Sequence, residues 1–199
     1  MTYQVASFDE LERIPVMHGL EWRPVRRRFG IGAFGVNAYT AEKPGDWIVE
    51  EHTEERLGHE ELYAVVRGRA RFTLDGEEID APAGTLVFVS DPGVKRVAVA
   101  EEEGTTVLAV GGKPGEAFTA SPWEWYFQAY EQPVEDGIET MQRGIEELGE
   151  RGSLYYHLAC LEARAGRLDD ARAHLAHAIE LDPFLREIAV KDDDLEEVR

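Results

Sequence analysis

Apolar and polar side chains alternate along residues 67–74, and the positions that share one face are Gly68, Ala70, Phe72 and Leu74. Three arginines and a threonine occupy the other face. A repeat of two residues is typical of a β-strand that buries one side. Asp75 and Gly76 follow directly and favour a two-residue hairpin turn. The pattern therefore predicts a strand that returns through a hairpin.

Further short apolar runs lie at residues 34–39, 46–50, 85–89, 97–100 and 105–110. Turn-forming stretches rich in proline, glycine and acidic residues separate them, as in Asp91-Pro92-Gly93. Many short strands at close spacing predict an antiparallel β-sandwich or barrel.

The pattern changes after the glycine-rich residues 111–115, because from Trp123 onward apolar residues recur every three or four positions. This spacing predicts α-helices. We therefore expect an α+β protein with two domains, a β-domain over residues 1–118 and a helical domain over residues 119–199.

Small and large apolar residues repeat in the helical part at an interval of 34 residues. Ala171, Leu175 and Ala178 would share one helix face. The matching earlier set is Gly137, Met141 and Gly144. Small residues at this interval resemble the tetratricopeptide repeat, whose helix pairs approach closely at such positions.

The resemblance is good over residues 153–183 and partial over residues 121–149. Tyr155 stands where the family usually has tryptophan, and Glu162 replaces its usual aromatic residue. An ordinary helical hairpin is the alternative. The resemblance implies a tail that mediates self-association or contact with another protein.

Charge and composition exclude several classes of protein. The 199 residues contain 21 Lys and Arg against 40 Asp and Glu, a net charge of −19. Nucleic acids and anionic membrane surfaces attract basic proteins, so neither is an expected partner. The lone Cys160 cannot form an internal disulfide. We expect a cytoplasmic protein, since residues 1–12 lack the basic and apolar pattern of a signal peptide and no apolar run is long enough to span a bilayer.

Residues 47–112 resemble a cupin domain. Residues 59–68, His-Glu-Glu-Leu-Tyr-Ala-Val-Val-Arg-Gly, carry that family's Glu and Gly at a spacing of six intervening residues, from Glu61 to Gly68. Residues 83–89, Ala-Gly-Thr-Leu-Val-Phe-Val, match the start of its second motif. The resemblance implies a double-stranded β-helix, or jelly roll.

Many cupins hold a divalent metal between two histidines of a His-x-His, a glutamate and a later histidine. Glu61 matches the glutamate. The two upstream histidine positions fall on Glu55 and Leu57 or on Glu54 and Arg56, depending on the register. His52 lies further upstream and would need a loop to bring it back.

The later histidine position falls on Arg96, or on Lys95 in a register without an inserted residue. Either residue is a cation, which opposes a divalent metal. We expect Glu61 and Arg96 to converge and form an ion pair.

Two functional hypotheses follow. The first is a non-catalytic cupin that binds a small polar or anionic ligand in a pocket formed by His59, Glu61, Tyr63 and Arg96, with no cofactor. The second is a metal-dependent cupin enzyme of the dioxygenase, isomerase or epimerase type. Its divalent transition metal would be held by His52, His59 and Glu61.

Aromatic residues are concentrated where the helical part begins. A large apolar surface at this position would need to be covered. We therefore expect a homodimer that buries Trp123, Trp125 or Phe127 at an interface or against the β-domain.

Overall fold

The computed structural model describes residues 4–16 and 19–199. The chain divides into two compact units, Met1–Thr119 and Ala120–Arg199. No helix within the described residues is long and apolar enough to cross a membrane.

Among its described residues, the first unit contains ten antiparallel strands and one short helix. The strands are β1 (Ile14–Pro15), β2 (Leu20–Arg23), β3 (Gly35–Ala41), β4 (Trp47–His52), β5 (Glu60–Arg67), β6 (Arg69–Leu74), β7 (Glu77–Pro82), β8 (Leu86–Val89), β9 (Arg96–Ala100) and β10 (Thr106–Gly112), and the helix is α1 (Val25–Phe29). A single 3-10 turn, Phe8–Glu10, precedes them. The chain thus has the many short strands that the sequence pattern predicts.

The strands form a six-stranded sheet, in the order β1-β2-β3-β10-β5-β8, and a four-stranded sheet, in the order β4-β9-β6-β7. From β3 to β10 the chain crosses to the other sheet at every connection except the β6–β7 hairpin. This alternation is the topology of a jelly roll, as the cupin resemblance implied. One core fills the space between the sheets, with Tyr63 and Val65 from the first facing Phe72 and Ala98 from the second.

The β6–β7 hairpin confirms one sequence expectation and corrects another. Leu74 pairs with Glu77, and Asp75 and Gly76 both have positive φ angles, 48° and 92°, which a tight hairpin turn requires. Residues 67–74, however, do not form one continuous strand. Gly68 interrupts them with φ +70°, and a Cβ there would lie 2.5 Å from Thr105 Oγ1.

Residues that precede β3 cover the outer face of the six-stranded sheet over β3 and β10. Leu11 and Val25 pack there against Val36 and Ala38. The covering segment is short and irregular, and the sequence pattern did not predict β1, β2 or α1.

The second unit is helical, as the spacing of apolar residues predicted. Its helices are α2 (Trp123–Tyr130), α3 (Val134–Leu148), α4 (Gly152–Arg164), α5 (Leu168–Leu181) and α6 (Leu185–Ala189), followed by a 3-10 turn, Asp193–Leu195. The face of α5 that carries Ala171, Leu175 and Ala178 is buried. The small residues Gly137 and Gly144 of α3 are buried as well.

Trp125, one of the three aromatic residues expected at an interface or against the β-domain, is already buried within the helical unit. It is 7% exposed and packs with Ile138 and Met141. A Cβ on Gly144 would lie 2.9 Å from the Trp125 ring, so the glycine makes room for the indole.

A candidate polar site at the mouth of the β-sandwich

Three chain segments bring the candidate site residues together at one end of the sandwich. Strand β4 ends at His52, β5 begins at Glu60, and β9 begins at Arg96. His52 and Arg96 are register partners on β4 and β9. Side chains alternate along β5, so Glu61 shares the inward face with the buried Tyr63.

Glu61 and Arg96 form an ion pair, as expected from the sequence. Arg96 Nη1 lies 2.9 Å from Glu61 Oε2. The Tyr63 hydroxyl donates a hydrogen bond to the same carboxylate oxygen. The pair joins the two sheets, because Glu61 belongs to β5 and Arg96 to β9.

The guanidinium of Arg96 is fully buried, with 0% of its side chain exposed. Its Nε donates to Val94 O at 3.1 Å, and its Nη2 donates to Val94 O at 2.8 Å and to Pro92 O at 3.2 Å. Backbone carbonyls and Glu61 therefore engage most of its donors. An incoming anion would find no accessible guanidinium, which argues against the anionic ligand expected from the sequence.

Lys95, the alternative to Arg96 in the other register, points away from the site. Its Nζ lies 3.3 Å from Glu51, and its side chain is 57% exposed. The structure thus assigns the inward position to Arg96.

His52 ends strand β4 beside Arg96 on β9, and the loop that follows folds back and brings Glu54 to the site. Glu54 N donates to Pro92 O at 2.8 Å, and Gly58 N donates to Glu54 O at 2.7 Å. The His52 Nδ1 is 2.8 Å from Glu50 O, which identifies this nitrogen as a donor. Its Nε2 lies 3.6 Å from both Glu54 Oε1 and Glu61 Oε2.

His59 contacts Glu54 instead of joining the group around Glu61. Its Nδ1 lies 3.4 Å from Glu54 Oε2, and its ring lies 6.2 Å from that of Phe118. The ligand atoms that lie within 4.8 Å of one another belong to His52, Glu54 and Glu61. Glu54 therefore takes the place that the sequence analysis gave to His59.

The pKa values of Glu61 and His52 are both shifted in the direction that favours the charged form. Burial tends to raise the pKa of Glu61, but hydrogen bonds from His52, Tyr63 and Arg96 and the charge of His52 lower it overall. Burial likewise tends to lower the pKa of His52, whereas hydrogen bonds to Glu61 and Glu50 O and nearby carboxylate charges raise it overall. A protonated His52 would complete the pairing of the two carboxylates.

The pKa values of Glu54 and His59 are both shifted in the direction that favours the neutral form. Burial and the neighbouring Glu61 charge raise the pKa of Glu54. Burial and the Lys113 charge lower the pKa of His59, against the influence of Glu61. Glu54 Oε2 is buried and accepts no hydrogen bond from any residue that the structure describes.

The donor types at this site fit a transition metal, but the charge distribution does not. One imidazole and two carboxylates are ordinary ligands for zinc, iron or manganese. A backbone carbonyl on the Nδ1 side of His52 is also the usual support for a metal-bound histidine. Arg96, however, places a fixed positive charge 2.9 Å from the Glu61 oxygen that a metal would use.

The sequence analysis aligned Glu54 with an upstream ligand position in one of two registers but did not include it in the candidate site. The available signal was the His-x-Glu at residues 52–54, because positions two apart in an extended segment face the same side. That signal depends on the loop of residues 53–59 folding back, which spacing alone does not reveal.

No protein-family model matches the sequence, and a comparison with curated proteins gives no match. Similar solved structures include a cupin protein from Bacteroides fragilis, which is 20% identical with a TM-score of 0.42 over 61% of this chain and 92% of that chain. KdgF from Halomonas sp. is 21% identical with a TM-score of 0.45, over 54% and 93% of the two chains. A sugar phosphate isomerase of the cupin superfamily from Silicibacter pomeroyi is 20% identical with a TM-score of 0.47, over 55% and 76%. None of these similarities transfers an activity to this chain.

Proposed function

We propose that the β-unit is a binding module for a small polar ligand and that it works without a metal. The observation that carries the proposal is the position of Arg96. Its buried guanidinium holds Glu61 through the oxygen that also accepts from Tyr63. A cation would have to compete with a group that is fixed by three backbone carbonyls.

The chemistry of the mouth favours a ligand that donates hydrogen bonds. The Glu54 side chain is 14% exposed, and its Oε2 makes no hydrogen bond among the described residues, although His59 Nδ1 lies 3.4 Å from it. Leaving such an acceptor unsatisfied is costly, so an amine, amide or hydroxyl group that reaches it gains free energy. His52 is 33% exposed and lies beside Glu54, so it provides the accessible edge of the site.

Metal analysis and ligand screening test this proposal together. Mass spectrometry of the purified protein should find no stoichiometric transition metal. A thermal-shift screen of diamines, amino sugars and neutral hexoses should find compounds that stabilise the wild type but not Glu54→Gln. Glu51→Gln is the matched control, since Glu51 is 53% exposed and pairs only with surface Lys95 among the groups described.

A metal-dependent enzyme of the dioxygenase, isomerase or epimerase type is the second candidate. The close approach of the His52, Glu54 and Glu61 ligand atoms favours it. A bound metal would supply Lewis-acid or redox chemistry, with these three residues holding it. A stoichiometric metal that is lost in both His52→Ala and Glu54→Gln would support this candidate and overturn the metal-free proposal.

For the helical unit we propose a protein-interaction role of the tetratricopeptide type. The buried small residues of α3 and α5 support close helix packing, and their 34-residue interval supports a repeat. Progressive deletion of α5 and α6 would test it, because a repeat array loses stability in steps that follow its units. A single loss of all helical structure would favour an ordinary helical hairpin.

A further inference from the structure

Residues 190–199, which follow α6, pack against helices α4 and α5, and we call them the acidic segment. Leu195 is fully buried and Val198 is 8% exposed. Both pack in one apolar cluster with Tyr156 and Cys160 of α4. All of these residues belong to the helical unit, so the contact lies within one compact body.

Polar groups also join the acidic segment to the two helices. The Tyr156 hydroxyl donates a hydrogen bond to Asp192 Oδ2 at 2.6 Å, and the Cys160 Sγ lies 3.7 Å from the same oxygen. From α5, Arg172 Nη2 donates to Glu197 O at 3.0 Å. The aspartate therefore provides the partner that a buried tyrosine hydroxyl needs in a mostly apolar cluster.

The charges of the segment both attract it to the helices and oppose its docking. Its ten residues contain five acidic and two basic side chains, whereas Arg164 of α4 and Arg172 of α5 lie beside it. Burial raises the pKa of Asp194, and so do the charges of Asp192 and Asp193, against the influence of Arg164. Like charges are thus crowded in the docked segment.

The acidic segment can open without unfolding the helices that it covers. Its turns form hydrogen bonds within the segment, from Leu195 N to Asp192 O at 3.2 Å and from Val198 N to Leu195 O at 3.1 Å, and these bonds do not join it to α4 or α5. Ordering ten residues costs conformational entropy that offsets the gain from burying two apolar side chains. Opening of such a segment needs less free energy than unfolding of the whole unit.

We infer that the face of α4 and α5 under the acidic segment binds an acidic segment of a partner protein, and that residues 190–199 cover this face until the partner displaces them. The inference rests on the interaction role proposed above for the helical unit. A segment of the same chain acts as a competitor at high effective concentration, so only a partner that fits the face better replaces it.

The docked residues indicate the chemistry of that partner. It carries an aspartate, an apolar residue three positions later and a second apolar residue after three more, which is the spacing of Asp192, Leu195 and Val198. The aspartate accepts the hydrogen bond of Tyr156, and the two apolar side chains fill the cluster. Further acidic residues favour binding because the arginines of α4 and α5 border the face.

Labelling of Cys160 with a thiol reagent reports the opening of the acidic segment. This residue is the only cysteine of the chain and is 0% exposed. In the wild-type full chain at neutral pH, low urea concentrations should leave the labelling rate nearly unchanged, since local opening exposes little surface. Labelling that follows urea with the slope of global unfolding would overturn the inference.

A pair of substitutions tests whether the segment controls this exposure. Leu195→Asp removes the main apolar anchor and should label about tenfold faster or more, the factor that burial of a leucine contributes to an equilibrium. Val190→Asp is the matched control, because it adds the same charge at a position that is 63% exposed, and it should label at the wild-type rate. Equal rates in the two variants, or loss of helical circular dichroism in Leu195→Asp, would contradict a removable cover.

A fluorescent peptide of residues 190–199 tests the binding surface itself. Its anisotropy should show tighter binding to full-chain Leu195→Asp than to the wild type, whose own segment competes, and the bound peptide should slow the labelling of Cys160. The same peptide with Leu195→Asp is the control and should not bind. A folded Leu195→Asp chain that labels quickly but does not bind the wild-type peptide would overturn the inference. None of these outcomes depends on whether helix deletions show repeat behaviour, so a failure here is distinguishable from a failure of the proposed tetratricopeptide-type role.

Discussion

Arg96 and Glu61 connect the two sheets of the sandwich through an ion pair of 2.9 Å in which the arginine side chain is fully buried. Removing a charge from water is unfavourable, so the pair persists only because each group is well satisfied. Three backbone carbonyls complete the shell of Arg96, and Tyr63 and His52 complete that of Glu61. Arg96, at the position where the resemblance to cupins implied a metal-binding histidine, is a buried cation that holds Glu61.

Arg96→Ala should lower the free energy of unfolding by about 3 kcal/mol, because it leaves the Glu61 charge buried without its main partner. Urea denaturation at neutral pH would measure the change. The control is Arg71→Ala on β6, whose side chain is 47% exposed and pairs with Glu78 and Glu101. This variant should lose less than about 1 kcal/mol, and equal losses in both variants would contradict the role of Arg96.

Glu54→Gln should stabilise the protein at pH 7.5 but not at pH 4. Burial and the Glu61 charge raise the pKa of Glu54 above its ordinary value of 4.5. The contribution of this carboxyl group to stability is therefore most favourable below pH 4.5 and is lost as the pH rises through the folded pKa. Glutamine stays neutral, so the stability of the variant increases relative to that of the wild type as the pH rises through the folded pKa of Glu54.

Thermal unfolding of both proteins at the two pH values would measure this difference. A lower melting temperature for Glu54→Gln at pH 7.5 would show that the ionised carboxylate is favourable where it stands. In the free protein, the Glu54 oxygen at the proposed ligand site makes no hydrogen bond among the described residues, which is unfavourable. A bound ligand that donates a hydrogen bond to this oxygen removes that cost.

Some features were predictable because local residues determine them. The Asp75-Gly76 turn needs two positive φ angles, and few dipeptides favour that conformation as strongly. The buried face of α5 follows from helical spacing. Glu61 and Arg96 were placed by a family resemblance whose motif spacing survives in this chain.

Other features depend on how distant segments meet. Glu54 is held beside His52 by a hydrogen bond from Glu54 N to Pro92 O, a contact between loops that are 38 positions apart. Spacing along the chain does not reveal that contact, so Glu54 was left out of the candidate site. Trp125 was one of three aromatic residues expected at an interface or against the β-domain. Gly144 on the next helix provides the space for it, and no local pattern in α2 indicates that.

Gly111→Ala should destabilise the mouth of the sandwich by about 1–3 kcal/mol, the usual cost of overpacking. Gly111 pairs with Glu61 across β10 and β5, and a Cβ there would lie 2.9 Å from both Glu61 Cγ and Glu60 O. The added methyl group would therefore push Glu61 away from Arg96. Urea denaturation would measure the loss.

The neighbouring Gly112→Ala is the control for this substitution. A Cβ on Gly112 would meet only Phe118 Cδ2, at an ordinary contact distance of 3.8 Å. Both substitutions reduce the freedom of the unfolded chain equally, so the difference between them isolates the contact with Glu61. Equal stabilities of the two variants would show that the strand shifts freely at this point.

His157 should make the helical unit lose stability between about pH 6.5 and pH 4. Burial lowers the pKa of His157 from 6.5 to about 4, against the influence of Asp192. Its Nδ1 lies 3.0 Å from the Tyr130 hydroxyl, and its ring lies 4.0 Å from that of Tyr126. A neutral ring that carries its proton on Nε2 accepts a hydrogen bond from Tyr130 at Nδ1, whereas a protonated ring cannot accept one.

The direction of this pH dependence follows from which state of the chain, folded or unfolded, binds the proton more tightly. A histidine with a lowered folded pKa contributes stability that is present above the unfolded pKa of 6.5 and is lost as the pH falls through about 4, since the unfolded chain binds the proton first. The shift corresponds to about 3 kcal/mol over this window. His157→Asn offers an amide oxygen near the position of Nδ1 and does not titrate, so this variant should lack that part of the pH dependence.

Chemical denaturation of the wild type and His157→Asn at several pH values between 4 and 7 would measure the difference. The matched substitution His177→Asn removes a partly exposed histidine of α5 and serves as the control. Burial raises the pKa of Glu162, and this carboxyl group is common to all three proteins, so its contribution cancels in the comparison. If the wild type and His157→Asn lost stability in parallel, the histidine would be protonated without cost and the Tyr130 contact would not require its neutral form.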